Sequence, residues 1–122
     1  MTTTCLIGVI DDDPSLRKAI VRLLGAAGYT TRDFSSAEEF LQSSILEEYR
    51  CVVTDIQLPN MSGLELIDLI AKRRSLLPII AITARSEEGL EKKVLSSGAA
   101  RFFTKPIHPD HLLGAIESTL NQ

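Results

Sequence analysis

Asp11, Asp12 and Asp13 stand side by side directly after the apolar run Leu6-Ile7-Gly8-Val9-Ile10. Two unit charges about 4 Å apart repel by roughly 4 kcal/mol at an effective dielectric near 20, so open solvent, a helix N-terminus or a cation must offset the crowding. Three more polar side chains follow apolar runs in the same way: Asp55 after "CVVT", Thr83 after "PIIAI" and Lys105 after "AARFFT". Carboxylates, a hydroxyl and an ammonium gathered at one edge would form a hard-oxygen cation site with a positive charge beside it. Mg²⁺ suits such a set, because it takes one or two carboxylates and keeps waters and phosphate oxygens as its other ligands. A dication shared by Asp11, Asp12 and Asp55 answers the repulsion and leaves Asp13 free to cap a helix. Singly, each residue has a plainer reading: Asp12 as a cap, Thr83 as a turn residue, Lys105 as a solvated charge. Asp55 has no cap pattern after it, and the joint occurrence favours a site.

The segments around these residues alternate between two patterns. The run Leu6 to Ile10 is apolar and too short for a helix. After it Leu16, Ala19, Ile20, Leu23, Leu24 and Ala27 recur at three-and-four spacing, with Arg17, Lys18 and Arg22 on the other side, as in an amphipathic helix. Asp13 fits its N-cap, Pro14 its first position and Gly28 its stop. Tyr29 to Phe34 alternates like an edge strand. A second helix opens at Ser36 and Glu39 in capping-box spacing, with Ala37, Phe40 and Leu41 inward. Cys51 to Thr54 reads as the third strand, and Ser62 with Glu65 as a second capping box before Leu64, Ile67, Ile70 and Ala71. Pro78 to Ile82 is the fourth strand, followed by a weaker helix over Glu87 to Ser97 that contains Gly89 and stops at Gly98. Ala100 to Thr104 is the fifth strand. Pro109 opens a last helix with Leu112, Leu113, Ile116 and Leu120 inward, capped at His108, with Ile107 able to pack on Leu112 across that cap.

Five short strands alternating with five helices, the central strands apolar throughout, imply a parallel sheet covered on both faces. Right-handed crossovers make a doubly wound sheet in the order 2-1-3-4-5 the most economical topology. Ligands of such sheets bind beyond the C-terminal strand ends, where the winding reverses, here between the first and third strands.

The 122 residues fit one domain, taken as residues 1–122. With 44% hydrophobic and 24% charged residues the composition is that of a globular protein. A net charge of −3 argues against nucleic-acid binding by this chain. The basic run Lys72-Arg73-Arg74 is better explained by a helix C-terminus. Neither a membrane span nor a secretory signal is visible, so the cytoplasm is the expected location. Cys5 and Cys51, each within an apolar run, read as small buried hydrophobes rather than a disulfide or metal site. His108 and His111 read as surface residues at a helix start rather than a metal pair.

Four motifs in order, "IDDDP", "VVTDIQLPNMSG", "AITA" and "FFTKP", resemble those of response-regulator receiver domains of two-component phosphorelay signalling, and the resemblance covers essentially the whole chain. Asp55 with Pro59 and Gly63, Thr83, and Lys105 with Pro106 carry it together with Asp11 and Asp12. The resemblance implies that Asp55 accepts a phosphoryl group from a phosphohistidine on a histidine kinase or phosphotransfer protein. It implies that Asp11, Asp12 and Asp55 hold Mg²⁺ together with the backbone carbonyl of Gln57. Lys105 would pair with one phosphoryl oxygen and Thr83 would hydrogen-bond another. Such positioning and charge neutralisation are what phosphoryl transfer generally needs. The family's Lys–Pro peptide, here Lys105-Pro106, is typically cis. Its switch aromatic corresponds to Phe102, which lacks the hydroxyl of the tyrosine frequent there, while Phe103 should face the other side of the strand. The positions that tune phosphoryl lifetime in the family are Gln57 and Arg85. Arg85 could cover the phosphoryl group, so that its loss would change dephosphorylation but not phosphorylation.

The resulting expectation is a phosphorylation-controlled switch whose fourth-helix, fifth-strand and fifth-helix face binds or releases a partner or output domain, catalysing its own phosphorylation and dephosphorylation without being an enzyme in the usual sense. Dimerisation through that face on phosphorylation is compatible with the reading. An aspartate-nucleophile phosphohydrolase is the alternative, but the second carboxylate such enzymes carry two residues after the nucleophile is here Gln57, and there is no room for a cap domain. A degenerate receiver that binds partners without phosphorylation is disfavoured by the intact carboxylate, threonine and lysine set. No output module follows within the sequence, and the loop "VTDIQLPNMSGLEL" resembles receivers fused to helix-turn-helix domains. The chain is therefore either a single-domain regulator or a receiver from a longer transcription factor.

Overall fold

In the computed structural model, which describes residues 5–43, 45–74 and 76–121, five parallel strands form one sheet in the order β2-β1-β3-β4-β5. Residues 1–4, where the reading for a secretory signal begins, and residues 44, 75 and 122 lie outside the described residues. The strands are β1 (Leu6–Ile10), β2 (Thr30–Phe34), β3 (Cys51–Asp55), β4 (Ile79–Thr83) and β5 (Arg101–Thr104). The helices between and after them are α1 (Pro14–Ala26), α2 (Ala37–Ser43), α3 (Gly63–Arg73), α4 (Leu90–Ser96) and α5 (Pro109–Leu120). The doubly wound order expected from the alternation is the one observed. No helix among the described residues is long and apolar enough to cross a membrane.

Each central strand is apolar on both faces because each face is covered. Leu6 and Ile10 of β1, Val52 of β3 and Ile79 and Ala81 of β4 pack with Phe40 of α2, Leu66, Ile67 and Ile70 of α3 and Val94 of α4. The alternate residues Ile7, Val9, Cys51, Val53, Ile80 and Ile82 pack with Ile20 and Leu24 of α1 and Leu112 and Ile116 of α5. Each such aliphatic side chain withdrawn from water contributes about 1.5–3 kcal/mol before entropy is counted. Cys51 behaves as one more apolar residue, since burial pushes its thiol up to about 12 and keeps it protonated. The edge strand β2 is largely exposed, as its polar alternation predicts, and the other edge strand, β5, is exposed at both ends and half-buried at Phe102 and Phe103.

The helix starts follow their local chemistry. Asp13 caps α1, its Oδ1 accepting from the N–H groups of Ser15 and Leu16 at 3.0 and 3.4 Å, and Pro14 holds the first position. Ser62 and Glu65 form the full reciprocal capping box of α3. His108 caps α5 through Nδ1, which accepts from the Asp110 N–H at 3.2 Å. At α2 the reciprocity is shifted: the Glu39 N–H bonds to Ser36 Oγ at 3.1 Å, but the Glu39 carboxylate receives the Ser35 N–H at 3.3 Å, not that of Ser36.

Two expectations need correction. The fourth helix begins at Leu90 rather than Glu87, because Gly89 sits at φ 82°, a left-handed conformation that cannot continue a right-handed helix backwards. A one-turn 3-10 helix at Leu46–Glu48, which the sequence pattern does not reveal, precedes β3. Arg74 is not merely a basic residue at a helix end: its Nη1 donates to the carbonyls of Leu46 and Tyr49 at 2.5 and 2.6 Å and ties α3 to that turn.

Candidate functional site

Parallel strands deliver their C-terminal residues to one edge, and here that edge collects the polar set. Asp55 is the last residue of β3 and Thr83 the last of β4, one step further into the strands than sequence alone suggests. Lys105 follows β5, and its N–H bonds to the Thr83 carbonyl at 2.7 Å, so the β4–β5 pairing carries on past the strand end. Asp11 follows β1, its N–H bonded to the Phe34 carbonyl at 3.1 Å. The Lys105-Pro106 peptide is cis.

The Lys105 ammonium lies between two carboxylates, 2.7 Å from Asp55 Oδ2 and 3.1 Å from Asp11 Oδ2. The other Asp55 oxygen accepts the Gln57 N–H at 2.8 Å, and Asp11 Oδ1 accepts the Asp13 N–H at 2.9 Å. Asp12 is exposed beside them, and one oxygen from each of Asp11, Asp12 and Asp55 falls within 4.8 Å of the others. Asp11 is fully buried, yet its Oδ2 makes no hydrogen bond of good geometry despite its proximity to Lys105. A buried anionic oxygen left in that condition, facing two further carboxylates, fits a hard dication.

The electrostatics agree. Burial pushes the Asp11 carboxyl above the usual carboxylate range and the charge of Asp55 adds to the effect, while the Asp13 N–H and Lys105 offset only part of it. Burial alone would lower Lys105, but its hydrogen bond to Asp55, its close approach to Asp11 and the charges of both hold it above its ordinary value. The Asp11 penalty is absent where the group is protonated in both states, below pH 3.8, and grows as the pH rises through the higher folded value. The fold therefore loses stability as the pH rises from the ordinary carboxylate range through that higher folded value. Asp11→Asn is expected to raise the melting temperature of the metal-free protein by roughly 4 °C, about 1 kcal/mol, and to abolish stabilisation by Mg²⁺. Thermal unfolding with and without Mg²⁺ checks both effects. A lower melting temperature would mean that the charge stabilises the fold through Lys105.

Thr83 is also fully buried. Its Oγ1 lies 2.8 Å from Gln57 Oε1 and 2.9 Å from the Arg85 carbonyl, and accepts the Arg85 N–H at 3.2 Å. The Ala84 N–H donates to the same Gln57 oxygen at 3.3 Å. The Arg85 side chain is exposed. Phe102 is half-buried against the side covered by α2, α3 and α4, and Phe103 packs on the α1 and α5 side, the opposite faces that strand alternation requires.

Two contributors lie outside the motifs. Arg17, placed by its helical spacing on the solvent side of α1, folds back so that Nη1 donates to the Asp11 carbonyl at 2.8 Å and Nε pairs with Asp33 at 2.9 Å. Glu38 of α2 accepts the Met61 N–H at 3.0 Å and steadies the loop between β3 and α3. The Arg17–Asp33 and Glu38–Met61 contacts join residues 16 and 23 apart in sequence, and the sequence signal for Arg17 is a lone carboxylate, Asp33, near the end of β2.

Three aspartates with an ammonium held against two of them, at the reversal point of a doubly wound parallel sheet, form a donor set suited to a hard cation. The response regulator receiver domain model matches residues 7–117, and the chain belongs to that family, the receivers of two-component signalling. It is 34% identical over its whole length to the transcriptional regulatory protein FixJ of Bradyrhizobium diazoefficiens, of which it covers 60%. The chain spans between 49% and 60% of the length of the curated relatives it matches. Among solved structures, a CheY-like response regulator receiver domain from Methanospirillum hungatei superposes with a TM-score of 0.89 at 26% identity, covering 97% of this chain and 94% of that one. The beryllofluoride-activated DrrB receiver domain superposes with a TM-score of 0.89 at 28% identity, covering 98% of this chain and 99% of that one.

Proposed function

We propose that this receiver accepts a phosphoryl group on Asp55, with Mg²⁺ bound by Asp11, Asp12, Asp55 and the Gln57 carbonyl, and that the acyl phosphate switches the α4–β5–α5 face. The observation that carries the reading is the Asp55 carboxylate, held 2.7 Å from Lys105 beside the buried, under-satisfied Asp11. An Asp55 oxygen attacks phosphorus, the P–N bond of a donor phosphohistidine breaks, and its electron pair stays on the imidazole, which takes up a proton. Mg²⁺, when bound, would neutralise charge on the transferring oxygens. Lys105 contributes a positive charge on the other flank, and the Gln57 N–H orients the Asp55 carboxylate. Hydrolysis of the acyl phosphate by water returns the carboxylate and makes the signal reversible, and Arg85 and Gln57 tune its lifetime in this reading.

The donor is a histidine kinase or histidine phosphotransfer protein, and the recipient of the signal a partner or output domain. The FixJ likeness favours a transcriptional output. Phe102, without a hydroxyl, would act in the switch by packing alone. The chain works in the cytoplasm as a single receiver domain over residues 1–122, and phosphorylation-dependent dimerisation is an available form of output. Incubation with a small acyl phosphate followed by intact-mass measurement tests the reading. One phosphoryl group should be gained with Mg²⁺ present and none after chelation. A gain unaffected by chelation would contradict the role given to the aspartate cluster.

A further inference from the structure

Gln57 makes two kinds of contact at once. Its N–H orients Asp55, while its side-chain oxygen spans to the end of β4, 2.8 Å from the Thr83 hydroxyl and 3.3 Å from the Ala84 N–H. A backbone N–H can only donate, so the atom facing Ala84 must be the carboxamide oxygen and not its nitrogen. One neutral acceptor therefore stands within hydrogen-bond reach of both donors at this edge, the Thr83 hydroxyl and the Ala84 N–H. We propose that the Gln57 side chain is a built-in placeholder for a phosphoryl oxygen, which must be displaced when Asp55 is loaded; the proposal rests on the phosphoacceptor reading of Asp55.

The argument is one of competition for donors. Thr83 has a single hydroxyl proton and two acceptors within reach, Gln57 Oε1 and the Arg85 carbonyl. The Ala84 N–H lies past the end of β4 and Gln57 is its acceptor. A phosphoryl oxygen on Asp55 bears negative charge and is a stronger acceptor than a carboxamide, so it wins these donors when present. Gln57 is exposed, which leaves its side chain a way out into solvent. The exchange lowers the net gain on loading by the hydrogen bonds given up. Gln57 thus biases the receiver towards its unloaded state and keeps Thr83 and Ala84 satisfied meanwhile.

Gln57→Ala, which keeps the backbone N–H, tests this. Hydrogen exchange of the Ala84 amide, followed by ¹H–¹⁵N spectroscopy on unloaded protein, is expected to be faster in the variant by about three- to tenfold, the span of one net hydrogen bond. Loading from a small acyl phosphate, in which an Asp55 oxygen displaces the donor carboxylate from phosphorus without net proton transfer, is expected to be faster or more complete by a similar factor. Unchanged Ala84 exchange, or equal or slower loading in a variant that does load, overturns the placeholder alone. Failure of both proteins to gain a phosphoryl group overturns the phosphoacceptor reading, and the placeholder with it.

Discussion

Asp55→Asn is expected to abolish phosphoryl gain from a small acyl phosphate, a loss of about a thousandfold or more. The amide keeps the shape of the carboxylate and can still accept the Gln57 N–H, so the fold around it survives. It offers no anionic oxygen to attack phosphorus, and Lys105 loses the partner that now lies 2.7 Å away. Lys105 keeps its second carboxylate, Asp11, at 3.1 Å, so the cation is not stranded. Intact mass after incubation with donor and Mg²⁺ reads the result directly. A phosphoryl gain comparable to wild type in the variant would transfer the acceptor role to a neighbour, of which exposed Asp12 is the nearest in kind.

Gly63→Ala has the largest expected effect on the fold. A Cβ at this position would lie 2.0 Å from the Asp55 carbonyl oxygen, 2.7 Å from Ile56 Cα and 2.9 Å from the Asp55 carbonyl carbon. All three are backbone atoms, so no side chain can swing aside. The Gly63 N–H also bonds to the Ile56 carbonyl at 2.9 Å, which stitches the start of α3 to the end of β3. Accommodating the methyl must separate the two elements at the residue that carries the carboxylate. Overpacking typically costs 1–3 kcal/mol, and a rigid backbone clash belongs at the upper end. The expected loss is about 3 kcal/mol, or roughly 10 °C in melting temperature by circular dichroism. Phosphoryl uptake measured well below that temperature should fall as well, because Asp55 moves relative to Lys105. A melting temperature within about 2 °C of wild type would show that α3 is less firmly seated on β3 than the contacts imply.

Local signals carried far because they depend on neighbours in sequence. Asp13-Pro14 marked the start of α1, Ser62 with Glu65 that of α3 and His108-Pro109 that of α5, and each cap is present. The polar residues at the ends of the apolar runs converge because parallel strands allow nothing else. What escaped depends on side-chain conformation or distant partners. Arg17 fits the solvent side of an amphipathic pattern, yet a long side chain in the first turn can reach back to the Asp11 carbonyl. The bridge from Gln57 to Thr83 spans 26 residues, and no periodicity encodes it. Gly63 is legible as a motif residue, but its reason, the close approach of β3, needs the packed structure. The start of α4 was misplaced because three charged or polar residues before Gly89 look helical, while the left-handed glycine decides the boundary.

The central claim is that the acyl phosphate forms on Asp55. Borohydride reduces an aspartyl phosphate to homoserine, with release of phosphate, and leaves unmodified carboxylates untouched. Loading the protein with a small acyl phosphate and Mg²⁺, reducing it at once and sequencing its peptides by mass spectrometry should place homoserine at position 55 and at no other aspartate. Homoserine at position 11 or 12, or a phosphoryl group on a serine or threonine that resists reduction, would contradict the account.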